Sequence, residues 1–334
     1  MNKSLKIAVF GGGSWATAIV KMLCENVSTV GWYMRSETSV EYIKENKHNP
    51  NYLRSAEFNT NQLFLSNDID EMIRYADVLI FAIPSAFLMT ELSKSALSIE
   101  EKTIFSAIKG IVPETGLIVG EHLHKEHKVP FENIGVITGP CHAEEVAMER
   151  LSYLTIACQD EEKAKALSDV LAGDYIKCKI SDDIIGTEYA AMLKNIYAIA
   201  AGIAHGLGYG DNFQAVLISN SIREMKRYIK KIHKMKRNIN NSAYLGDLLV
   251  TGYSTFSRNR MFGNMLGKGY TVKAAMMEMS MVAEGYYALK SAYEINEAHE
   301  DNKANTPIIN AVYNIVYLKR SPKRQFKLLT DLLD

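Results

Sequence analysis

The run Leu5-Lys6-Ile7-Ala8-Val9-Phe10, followed at once by Gly11-Gly12-Gly13-Ser14-Trp15-Ala16, constrains the fold more than any other stretch of the chain. A short apolar run halted by glycines reads as a buried strand, and Ala16 to Leu23 then reads as a helix. Gly11-x-Gly13-x-x-Ala16 has the spacing of a dinucleotide turn. The first glycine allows the tight turn, and the second lets backbone approach a pyrophosphate. The small third residue lets the helix pack closely on the strand. Free N–H groups and the positive dipole end of the helix would face the phosphate oxygens.

The rest of the first half repeats the pattern. Ser28–Met34 is a second strand candidate, and Glu45–Asn61 reads as loop and short helix. Asp77–Pro84, Thr103–Ile108 and Ile134–Pro140 are near-continuous apolar runs, as suits strands buried on both faces of a parallel sheet. Tyr153–Ala157 and Ile176–Ile180 extend that sheet. Strands alternating with helices predict an α/β fold with a doubly wound, Rossmann-type sheet. Near Thr187 the texture changes, and from Glu188 the chain is helical in pattern. The expected organisation is a dinucleotide-binding domain over residues 1–187 and an all-helical domain over 188–334.

Composition removes several function classes. The formal net charge is zero, which argues against a nucleic-acid binder, since such a protein needs a basic excess. The basic stretch from Lys226 to Arg237 reads as a solvated helix face, with a weak anion or partner site as the competing reading. Cys24, Cys141, Cys158 and Cys178 form no CxxC pair, and sparse cysteines fit a reducing compartment. No apolar stretch is long enough to span a bilayer, so a cytoplasmic protein without stable membrane insertion is expected. His122, His124 and His127 lie in a polar stretch without converging carboxylates or thiols; they are expected to be surface histidines, and no metal is expected.

The second strand of a site that prefers NAD usually ends in an acid, which accepts from the ribose 2′-hydroxyl. Arg35 stands there instead. A guanidinium can pair with a 2′-phosphate or stack on adenine, so NADP, or use of either NADP or NAD, is expected, the competing reading being an exposed loop arginine.

Several segments together resemble the bacterial NAD(P)-dependent glycerol-3-phosphate dehydrogenases. They are Gly11–Ala18, Ala82–Ser85, Lys109-Gly110-Ile111, Gly139–Ala147, Leu193-Lys194-Asn195, Gly206–Asn212, Gly246-Asp247-Leu248, Ser257–Arg260 and Val282–Gly285. They fall in the family's order and span nearly the whole chain. The resemblance implies reversible reduction of dihydroxyacetone phosphate to sn-glycerol 3-phosphate, feeding phospholipid synthesis, in a protein that often pairs as a homodimer. It implies proton transfer by Lys194 and substrate contacts from Lys109, Gly139, Cys141, Lys194, Asp247, Ser257, Arg258 and Asn259. It implies cofactor contacts from Ser14, Trp15, Arg35, Lys109, Ala143, Arg258, Val282 and Glu284, beside Gly11 and Gly13 of the turn. Three positions depart from the family. Cys141 replaces the usual Ser or Thr, Gly252 follows Thr251 where Cys or Ser is more usual, and Lys226–Asn241 replaces an apolar passage.

The residues also make chemical sense alone. Hydride transfer to a ketone leaves negative charge on oxygen, and a positioned acid must supply a proton. Lys194 shares a helical stripe with Ala191, Ala198 and Ala201, where another element or a ligand can approach closely. Ser257-Arg258-Asn259-Arg260 offers two guanidinium groups, an amide and a hydroxyl to a phosphate, or else an N-capping serine with surface arginines. Asp247 either orients a substrate hydroxyl or holds a lysine. The competing readings are a related dehydrogenase acting on another phosphorylated polyol or a hydroxyacid, and a non-catalytic nucleotide-binding regulator.

Overall fold

A computed structural model describes residues 5–279, 283–299 and 303–334. The chain divides into two compact units, Met1–Ile184 and Ile185–Asp334.

The first unit is built on strands β1 (Ile7–Phe10), β2 (Val30–Tyr33), β3 (Leu63–Ser66), β4 (Val78–Phe81) and β5 (Thr103–Ser106). A small antiparallel hairpin of β6 (Ile111–Val112) and β7 (Leu117–Ile118) follows, then β8 (Ile134–Thr138), β9 (Ser152–Cys158) and β10 (Ile176–Ser181). Its helices are α1 (Ser14–Cys24), α2 (Glu37–Asn46), α3 (Ile69–Tyr75), α4 (Leu88–Leu92), α5 (Val119–His127), α6 (Ala143–Ala147) and α7 (Glu161–Leu171).

The sheet order is β3-β2-β1-β4-β5-β8-β9-β10. Every neighbouring pair is parallel except β8 with β9, so β9 and β10 run against the other six. Alternate residues of each strand feed opposite layers. Ile7, Val9, Trp32 and Ile80 pack with α1 and α7 on one face, whereas Ala8, Phe10, Leu79 and Phe81 pack with α3 and α5 on the other. This double burial is why the strands read as unbroken apolar runs rather than as alternating ones. The chain winds from β1 outward to β3, then returns to β4 on the other side of β1. The carboxyl ends of β1 and β4 therefore flank a topological switch point, where ligands of open α/β sheets bind.

His122 corrects the expectation of surface histidines. It is fully buried on α5, its ring beside that of His127, because it falls on the face of α5 that carries Val119 and Leu123 into the core. Burial holds its imidazole below the ordinary histidine range. No group of three or more His, Cys, Asp or Glu among the described residues is placed to hold a metal ion.

The second unit is helical throughout its described elements. They are α8 (Ile184–Gly206), whose first residue belongs to the first unit, α9 (Asp211–Ile232), α10 (Asp247–Tyr253), α11 (Arg258–Gly267), α12 (Val272–Glu278), α13 (Glu284–Glu297), α14 (Pro307–Val316) and α15 (Pro322–Thr330). Residues 189–204 of α8 are buried on every side, so this is a central helix rather than an amphipathic one. No helix among the described residues is long and apolar enough to cross a membrane. Lys226, Arg227, Lys230 and Lys231 line an exposed side of α9, but the helix ends at Ile232, so Lys234, Lys236 and Arg237 of the basic stretch lie beyond the helix face expected for them. Buried Glu224 of α9 accepts from the Ile308 and Ile309 amides at 2.8 and 3.0 Å, capping the start of α14, and burial pushes its carboxyl up to about 7.

Helices α8 and α11 touch backbone to backbone. A Cβ on Gly263 would lie 2.1 Å from the Ile199 carbonyl oxygen, and one on Gly202 would lie 2.1 Å from that of Arg260. Gly263→Ala is therefore expected to destabilise the protein by about 1–3 kcal/mol through overpacking. Gly210→Ala, where nothing lies within 4 Å of an added Cβ, serves as the control. Thermal unfolding of the two variants checks this, and equal midpoints would refute the close crossing.

Candidate active site

In the first unit the expected site residues gather along one edge of the sheet. Gly11 follows β1, Arg35 follows β2, Lys109 follows β5, and Gly139 and Cys141 follow β8. All four strands are parallel, so these residues share the carboxyl edge. Gly11 sits at φ +142°, and a Cβ there would lie 2.4 Å from the Ala82 carbonyl oxygen at the end of β4. Only glycine closes β1 onto β4 so tightly. Gly13 caps α1 without any side-chain hydrogen bond, and a Cβ on it would meet nothing within 4 Å. The turn thus has a tight floor and an open mouth.

The carbonyls of this turn are engaged from within the protein. Trp32 Nε1 donates to Gly11 O at 2.7 Å, and Asn49 Nδ2 donates to Gly12 O at 3.1 Å. Gly13 O accepts from the Thr17 amide at 3.0 Å and the Thr17 hydroxyl at 2.9 Å. Sequence reasoning missed Trp32 and Asn49. The Asn49-Pro50 dipeptide signals a turn, but nothing in it says that the amide is buried.

Ser14 and Trp15 open α1. The Lys109 ammonium lies 5.8 Å from the centroid of the Trp15 ring, within cation–π range. Trp15 Nε1 is buried without a hydrogen-bond partner among the described residues, which leaves a donor for a ligand. Arg35 is exposed between β2 and Ser36, the N-cap of α2. Gly139 adopts φ +122°, and Cys141 and Ala143 are buried in the layer that also holds α1.

In the second unit the sequence-predicted residues converge on the middle of α8. Lys194 is 3% exposed and Asp247 1%, and the Lys194 ammonium is ion-paired with Asp247 Oδ1. Asp247 thus holds the lysine, one of the two roles open to it. A π-helical turn over Ser242–Gly246 delivers it to that position, an irregularity frequent at functional sites. Thr251, one turn on, donates its hydroxyl to Asp247 O at 2.7 Å.

Helices α11 and α13 start beside the same point. Ser257 caps α11, its hydroxyl accepting from the Arg260 amide at 3.2 Å, and Arg258 is the first helical residue. Asn259 Oδ1 accepts from the Gly285 amide at 2.9 Å, which ties the start of α11 to the start of α13, where Glu284 stands. A Cβ on Gly285 would lie 2.8 Å from the Asn195 carbonyl oxygen, so α13 abuts α8 next to Lys194. Val282 lies outside the described residues. On Lys194's partner and its chain neighbour, Asp247 Oδ2 and Asn195 Nδ2 are buried with no hydrogen-bond partner among the described residues. An acceptor and an ammonium meet at the middle of α8, a donor stands on the next residue, and the starts of α11 and α13 bring positive dipole ends to that stretch of the helix. That set suits a small ligand carrying hydroxyl or carbonyl oxygens and an anionic group.

Comparison with known proteins agrees. The family model described as NAD-dependent glycerol-3-phosphate dehydrogenase N-terminus matches residues 6–164, and the C-terminus model matches residues 183–327. A glycerol-3-phosphate dehydrogenase [NAD(P)+] of Staphylococcus haemolyticus (strain JCSC1435) is 34% identical over 93% of both chains. One of Staphylococcus aureus (strain JH9) is 34% identical over 98% of both. The solved glycerol-3-phosphate dehydrogenase of Coxiella burnetii superimposes with a TM-score of 0.86 at 26% identity, covering 98% of each chain. With matched motifs in both units and relatives aligned end to end, the chain belongs to the NAD-dependent glycerol-3-phosphate dehydrogenase family.

Proposed function

We propose that this protein reversibly reduces dihydroxyacetone phosphate to sn-glycerol 3-phosphate with NADP or NAD. The observation that carries the reading is the buried Lys194–Asp247 pair, grouped with the unpartnered Asp247 Oδ2 and Asn195 Nδ2. Residues 1–187 act as the dinucleotide-binding domain and 188–334 as the substrate domain. The open glycine turn and the unpartnered Trp15 Nε1 fit a dinucleotide. Gly11, Gly13, Ser14 and Trp15 hold it, with Ala143, Lys109, Arg258, Val282 and Glu284 completing its contacts and Arg35 facing a 2′-phosphate. The bound dinucleotide supplies or accepts the hydride at the substrate's central carbon.

The protein's own groups do the rest. Lys194 donates a proton to the carbonyl oxygen as charge develops there, and takes it back from the hydroxyl in the reverse direction. Asp247 holds the ammonium in line and offers its second oxygen to a substrate hydroxyl. Ser257, Arg258 and Asn259 seat the phosphate at the start of α11, while Lys109, Gly139 and Cys141 complete the substrate contacts. A cytoplasmic homodimer supplying glycerophospholipid synthesis completes the proposal. The family match does not favour a hydroxyacid dehydrogenase or a non-catalytic regulator.

Steady-state reduction of dihydroxyacetone phosphate, with NADPH and NADH side by side, tests the reading; no turnover with either would reject it. Arg258→Ala is expected to raise KM for the phosphorylated substrate about 10- to 100-fold, the loss of charge-assisted hydrogen bonds, with a much smaller effect on cofactor KM. Equal small changes in both would refute the phosphate seat.

A further inference from the structure

Asn49 is a heavily bonded side chain beside the glycine turn. It is 0% exposed. Its Nδ2 donates to Gly12 O at 3.1 Å and to Thr17 Oγ1 at 2.9 Å. Its Oδ1 accepts from the Asn51 and Tyr52 amides at 2.9 and 3.1 Å. The amide's two donor hydrogens and two acceptor positions are all used, which also fixes which way round it sits. Thr17 relays the contact, because its hydroxyl accepts from Asn49 and donates to Gly13 O at 2.9 Å.

In a trans peptide unit the C=O and the following N–H point in opposite directions. A carbonyl held inward therefore turns the next amide outward. Asn49 holds Gly12 O directly, which sends the Gly13 N–H toward the mouth of the turn. Through Thr17 it steadies Gly13 O, which sends the Ser14 N–H the same way. Trp32 does the equivalent for Gly11 O and the Gly12 N–H. Glycine needs this help more than other residues, since its backbone is the least restricted. We propose that Asn49 is a positioning residue for the cofactor, locking the peptide planes of the turn so that its amides face the dinucleotide pyrophosphate. This rests on the reading that the first unit binds that dinucleotide.

The test is Asn49→Asp, which keeps size, shape and the acceptor for the Asn51 and Tyr52 amides. It replaces the donor facing Gly12 O with a second oxygen. The expected result is a KM and Kd for NADPH and for NADH that both rise about 10- to 100-fold by a common factor, for lost donors to an anion. Saturating kcat and the KM for dihydroxyacetone phosphate stay close to those of the unchanged protein. Arg35→Ala, by contrast, should alter the NADPH-to-NADH ratio. Thr17→Val is the second variant, and should move both cofactor constants in the same direction by less. A folded Asn49→Asp or Thr17→Val protein with unchanged cofactor constants overturns the proposal. So does a lowered thermal midpoint or active fraction with unchanged KM, which is a purely structural role. If the unchanged protein binds neither dinucleotide by fluorescence titration, the cofactor reading itself fails, and the Asn49 proposal falls with it.

Discussion

Lys194→Ala is expected to lower kcat by about 10²- to 10⁴-fold, the range of a positioned general acid, while the Kd for NADPH changes little. The reduced carbonyl oxygen needs a proton as it gains charge, and the Lys194 ammonium is held by Asp247 beside two unpartnered polar atoms. Cofactor binding should persist, because the glycine turn and its supports lie wholly within the first unit. Turnover and fluorescence titration on the same purified sample check both halves of this expectation. Near-normal turnover would remove Lys194 from the chemistry. Loss of cofactor binding together with turnover would point instead to a collapsed fold, and circular dichroism distinguishes the two.

The residues differ in how much of this the chain discloses before it is folded. The glycine turn was legible because spacing and context coincide, a strand before and a helix after. The central strands were legible because burial on both faces removes polar residues from them. Strand β3 was not: it has four residues, only Leu65 and Ser66 of them buried, and it follows a polar stretch read as loop. The reversed direction of β9 and β10 was also hidden, since a buried strand reads alike in either orientation. Lys194, Asp247 and Arg258 could be named by residue type and by resemblance, but pairing depends on distance. Sequence left Asp247 open between orienting a hydroxyl and holding a lysine, and the fold brings it to the lysine across 53 positions. Asn49 stayed hidden for the opposite reason, because a buried amide and a loop asparagine look the same in a string of letters.

Asp247→Ala is expected to destabilise the protein by about 3–5 kcal/mol, because it removes the carboxylate ion-paired with a buried ammonium. For a chain of this size that corresponds to a drop of roughly 4–7 °C in thermal midpoint. Activity should fall as well, since the ammonium loses its direction. The double variant Lys194→Met/Asp247→Leu separates the two effects. Replacing a buried ion pair by apolar side chains of similar volume is often neutral or stabilising. The double variant should therefore recover most of the lost stability while remaining inactive. A pair kept for folding would give the reverse, a double variant that unfolds more easily than either single one. A buried ion pair commonly gains a protein little net stability, so on the proposed function the pair is explained by proton delivery from Lys194. Recovery of stability without recovery of turnover is the result that would establish this.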